Sequence, residues 1–96
     1  MRRADFISSV LGDLRIWMNA ADGPAMHARA EIVGHALHFR MSAAKDGRTL
    51  ELTRAIPIEA VEAIPPHVEQ AATGTFASAM IEDFCTPIPE AEAFVQ

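Results

Sequence analysis

A chain of 96 residues, half of them apolar, has material for one modest hydrophobic core. No stretch approaches the roughly 18 consecutive apolar residues of a membrane span, and a formal charge of −5 argues against strong direct nucleic-acid binding. The single cysteine, Cys85, excludes an intramolecular disulfide framework and fits a reducing compartment, so a cytoplasmic location is expected.

The start, Met1-Arg2-Arg3, has the charge of a signal peptide. The apolar run that should follow is broken by Asp5, Ser8, Ser9, Gly12, Asp13 and Arg15, so that reading is set aside. Residues 4–19 read instead as an amphipathic helix. Phe6, Val10, Leu14 and Trp17 recur at three- and four-residue spacing, and Ile7, Leu11 and Met18 widen the stripe. Ser8, Ser9, Asp13 and Arg15 form the wet side. Ala21-Asp22-Gly23-Pro24 supplies the stop: a glycine for the left-handed cap, then a proline that cannot continue the helix.

Three strands follow, at about Met26–Val33, Ala36–Ala44 and Arg48–Ile56. Gly34-His35 suits a two-residue hairpin turn of type II′, because glycine tolerates positive φ. That turn sets Ile32 against Leu37, Ala30 against Phe39 and Ala28 against Met41. Asp46-Gly47 is a second hairpin signal, of type I′. It sets Met41 against Leu52, Ala43 against Leu50 and Leu37 against Ile56. Both turns assign the same middle-strand residues to the buried face, and a one-residue slip would invert every side chain. The one dissenting pair is Phe39 with Arg54, which suggests an arginine at the sheet margin with its stem on the ring and its head in water. The other face carries Arg29, Glu31, His38, Arg40 and Glu51, with Arg29 opposite Arg40. Pro57 cannot donate a ladder hydrogen bond and ends the third strand at a sheet edge.

Ile58, Val61 and Ile64 mark a short helical element closed by Pro65-Pro66. Pro66 suits the first position of the next helix, which runs over 66–85. Val68, Ala72, Phe76, Met80 and Phe84 share one face of that helix. Its small residues, around Gly74, favour close packing on the sheet or on a twin helix. The reading is thus an α+β fold in α-β-β-β-α order: a three-stranded antiparallel meander with two long helices packed on one face. Residues 1–96 form one domain, of which 86–96 is a proline-containing C-terminal tail with an apolar end, Phe94-Val95, suited to docking.

This element order is similar to that of double-stranded-RNA-binding domains. Those domains read RNA with lysines and arginines near the start of the last helix. Here that position is Pro65-Pro66-His67-Val68-Glu69, with neither. The order is shared without the chemistry, and no family membership follows.

Charge is segregated. Residues 1–54 hold all eight Lys and Arg against six acids, and residues 55–96 hold seven acids with no Lys or Arg. Such asymmetry points to an interaction surface. Catalytic constellations are missing: there is no nucleophile elbow, no phosphate-cradling glycine loop and no zinc-protease helix. Cys85, beside Glu82 and Asp83, reads as structural. Zinc needs three or four converging ligands. The best candidate set, His27, His38 and Glu31, is split by the strand register, which puts His27 beside Ser42.

The expectation is therefore a small, non-catalytic protein-binding module with no cofactor and no metal. Its acidic surface would engage a basic, nucleic-acid-binding partner, in the manner of a phage- or mobile-element-type inhibitor. Its apolar helix faces offer homodimerisation. The candidate partner-binding residues are Glu69, Glu82 and Asp83 on the second long helix, Arg29 and Arg40 on the open sheet face, and Trp17. The alternatives are a nucleic-acid binder using that sheet face and a small metal-dependent enzyme at His27 and His38.

Overall fold

The computed structural model describes residues 1–20, 25–45 and 47–85. The expected helix stop at residues 21–24, Asp46 of the second turn, and the tail at 86–96 lie outside the described residues. Helix α1 spans Arg3–Ala20; strands β1 (Met26–Val33), β2 (Ala36–Lys45) and β3 (Arg48–Pro57) follow; then come a short helix α2 (Ile58–Glu62), a 3-10 turn at Pro66–Val68 and helix α3 (Glu69–Cys85). The strands form one antiparallel sheet in the order β1-β2-β3.

The register is the one that the two turns dictate. Val33 faces Ala36 and Ala28 faces Met41 in the first hairpin; Leu37 faces Ile56 and Ala43 faces Leu50 in the second. Gly34 adopts φ +61° and Gly47 φ +74°, which is the conformational freedom these tight turns require. The 3-10 turn begins on Pro66, whose missing N–H costs nothing at that position.

Alternation along β2 buries Leu37, Phe39, Met41 and Ala43, and the first three join Phe6, Val10 and Leu14 of α1, Ile58 and Val61 of α2, and Ala77 and Met80 of α3 in one core cluster. Both long helices lie on this one face of the sheet. Three rings knit the layers together. Phe6 approaches Phe39 edge-on at 5.9 Å and Phe76 edge-on at 5.5 Å, and Phe39 and Phe76 lie tilted at 5.2 Å. Such pairs contribute about 0.5–1.5 kcal/mol each beyond area burial.

Three expectations need correction. The buried side of α3 follows the Val68-Ala72-Phe76-Met80-Phe84 stripe only in part. Thr73, Ala77 and Met80 are the buried residues, Phe76 and Phe84 are half-buried, and Val68 is exposed. Helix α3 packs on α1 as well as on the sheet, so its buried arc is rotated toward α1. Small residues there allow the approach. Thr73, the one buried polar side chain among the described residues, donates its hydroxyl to the carbonyls of Glu69 and Gln70, both at 3.1 Å, and so loses nothing by leaving water. Second, Ile32 and Leu50 point toward the helices but stay 51% and 55% exposed, because they sit on the two outer strands. Third, Arg54 does not end in open water. Its guanidinium donates to Asp83 Oδ2 of α3, at 3.0 Å from Nη2 and 3.3 Å from Nε. A sheet-margin arginine thus clips the end of α3 to β3.

Candidate functional site

Two surfaces remain for recognition. The first is the sheet face turned away from the helices. Alternation sets side chains on it in rows: His27, Ser42 and Glu51; Arg29, Arg40 and Thr53; Glu31, His38 and Ala55. His27, Arg29, Arg40, Ser42 and Glu51 line a cleft of about 280 Å³. Arg29 and Arg40 face each other directly, a like-charge pairing that is unfavourable by itself. Neither has an ion-pair partner among the described residues. Arg48 and Arg54 do not extend this basic patch, because their register places them on the helix side of the sheet.

The second surface is a groove of about 840 Å³ between α1 and α3, on the far side of the helix layer. It is lined by Asp5, Asp13, Glu69 and Ile16, by Gly12 and Gly74, and by Met1, whose amino group faces Glu69. Glycines at these positions leave the groove open, since an added Cβ at either would meet nothing within 4 Å. Ile16 is 70% exposed, the most exposed large apolar residue among the described ones. An isoleucine left in water beside carboxylates suits a partner that is apolar on one side and basic on the other.

The acids of α3 expected to act together are separated. Glu69 opens the helix and Glu82 and Asp83 close it, about 20 Å apart at 1.5 Å per residue. Glu69 faces the Met1 amino group at 3.9 Å, and Asp83 is bonded to Arg54. Glu82 is exposed, with no ion pair among the described residues. Trp17 is half-buried, edge-on to Phe84 at 6.4 Å, and packs against the core rather than standing clear of it. Cys85 is exposed. Among the described residues no three His, Cys, Asp or Glu side chains converge as a metal site would require, and no helix is long and apolar enough to cross a membrane.

Asp5 and Asp13 were not among the residues expected to bind. The signal was in α1: Asp5, Ser9, Gly12 and Ile16 follow one another at three- and four-residue spacing beside the core stripe. An exposed isoleucine ends that polar row.

No protein-family model matches the chain, and comparison with curated proteins and with solved structures finds no match.

Proposed function

We propose that this protein is a small, non-catalytic binding module that receives a basic, amphipathic protein segment in the groove between α1 and α3. One observation carries the reading: Asp5 and Asp13 line a concave surface that also holds the exposed Ile16, while its third acid, Glu69, faces the Met1 amino group. Apolar contact supplies affinity there, and the carboxylates select and steer a basic partner. Masking the basic, nucleic-acid-binding surface of a target, as an inhibitor does, is the form of activity this chemistry supports. The non-catalytic part rests on the sequence, which has no recognisable nucleophile–base pair.

The test is affinity capture from the native host with the wild-type chain and with Asp5→Lys/Asp13→Lys as paired baits. Retention of a protein with a basic segment, lost on charge reversal and weakened by salt, supports the proposal. Capture that survives the reversal but disappears in Arg29→Ala/Arg40→Ala overturns it. Retention of nucleic acid by the wild type, lost in Arg29→Ala/Arg40→Ala, would favour the sheet face. That second reading has its own support, the unneutralised Arg29–Arg40 pair. Two arginines neutralise few phosphates, so the salt dependence would be shallow.

A further inference from the structure

The sheet ends on both sides in an unpaired strand among the described residues, because its order is β1-β2-β3. An open edge is a template for pairing with another chain unless something blunts it. On β3 the blunting is visible. Arg54 points toward the helix side, and Pro57 has no N–H to offer. On β1 it is weaker: Met26–Val33 contains no proline and no charge turned toward the helices, and it pairs with β2 without a bulge.

The phase of the edge follows from one bond. The Ala44 N–H donates to the Ala25 carbonyl at 3.3 Å, so residues 25, 27, 29, 31 and 33 turn their backbone groups toward β2. Met26, Ala28, Ala30 and Ile32 therefore present theirs to the open edge. If β1 meets a second copy of itself antiparallel about a two-fold axis normal to the sheet, opposite residues must share a face. Four registers lie near the strand centre. Centring on Ala28 sets His27 against the partner's Arg29 and brings no opposite charges together. Centring on Arg29 sets arginine against arginine, and centring on Glu31 sets glutamate against glutamate. Centring on Ala30 sets Arg29 against the partner's Glu31, and Glu31 against the partner's Arg29. The same register lays Ala28 against the partner's Ile32 on the helix side, covering a side chain that is 51% exposed in the single chain. The arginine and glutamate fall at non-hydrogen-bonded positions, where cross-strand side chains come closest. Arg29 then gains the carboxylate that it lacks within its own chain, where it faces Arg40.

Strand β3 has no equivalent. Glu51 lies three residues from both Arg48 and Arg54, hence on the opposite face from each. No pairing of β3 with itself can bring opposite charges together.

We infer that two copies of this chain join edge to edge through β1, with the two-fold axis at Ala30, to form one continuous six-stranded antiparallel sheet. The inference is independent of the groove between α1 and α3, which lies on the other side of the helix layer. Charge complementarity across the axis selects both the strand and its register.

The test is sedimentation equilibrium of the purified full chain over a concentration series, with far-UV circular dichroism confirming the fold of each variant. The wild type should sediment at twice the chain mass. Glu31→Arg and Arg29→Glu each place like charges at both symmetric positions and should weaken dimerisation tenfold or more. The exchanged variant Arg29→Glu/Glu31→Arg restores both pairs and should dimerise like the wild type. Ala30→Pro, which removes an edge N–H that β2 does not use, should yield a folded monomer. A wild type that stays monomeric at millimolar concentration overturns the inference. So does a dimer indifferent to Glu31→Arg and Ala30→Pro, or an exchanged variant that fails to regain the dimer.

Discussion

Replacing Phe39 by alanine probes the centre of the fold. Phe39 is fully buried on β2, and its ring lies 5.9 Å from Phe6 and 5.2 Å from Phe76, so one side chain joins α1, β2 and α3. Deleting a buried phenyl ring costs about 3–5 kcal/mol through lost transfer energy and the cavity left behind. The loss of two aromatic partners places this site in the upper half of that range, at about 4–5 kcal/mol. Domains of this size have about 5–15 kcal/mol in total, so the variant should be marginal, with a thermal midpoint lowered by about 20 °C. Urea unfolding reads the effect. Trp17, the only tryptophan, is half-buried against Phe84, so its emission reports the packing of α1 on α3. Leu50→Ala is the control, since it alters the same side of the sheet at a residue 55% exposed. It should cost less than about 1 kcal/mol by area lost. A loss below about 2 kcal/mol for Phe39→Ala, or equal losses for the two variants, would refute the assignment of the core to β2.

Gly74→Ala should stabilise the chain by about 1 kcal/mol, since the site is mid-helix and an added Cβ meets nothing; a raised thermal midpoint checks it. Gly34→Ala should do the opposite, losing about 1 kcal/mol in urea titration because its φ of +61° strains any side chain. The Arg54–Asp83 pair is about half exposed on both sides, so a double-mutant cycle should return only about 0.2–1 kcal/mol, diminishing with salt. Coupling above about 2 kcal/mol would mean that the clip governs the seating of α3.

The meander was legible almost residue by residue, because two hairpin turns and the alternation between them over-determine the register. The buried arc of α3 was not. Its spacing by four, Val68-Ala72-Phe76-Met80-Phe84, describes a helix lying on one neighbour, whereas α3 has two. Nothing in a helical pattern states how a second helix divides the contact, and alanine and threonine give little hydrophobic signal. The acidic candidates were legible as residues but not in their surroundings. Charge counted along the chain does not reveal that Asp83 faces Arg54, 29 residues earlier, or that Asp5 and Asp13 of α1 line the groove beside Glu69. The open sheet face was legible, since strand parity alone sets Arg29 against Arg40.

All the fully buried side chains of the sheet belong to β2; β1 and β3 contribute none. Selection can therefore act on the two outer strands with little risk to the fold, while Leu37, Phe39, Met41 and Ala43 tolerate little change. Between those four residues stand His38, Arg40 and Ser42, on the face that the core does not use. Substitutions there leave packing untouched, yet they sit on the strand with ladder partners on both sides. Those positions can therefore vary while the platform beneath them stays rigid, a separation of roles along ten consecutive residues.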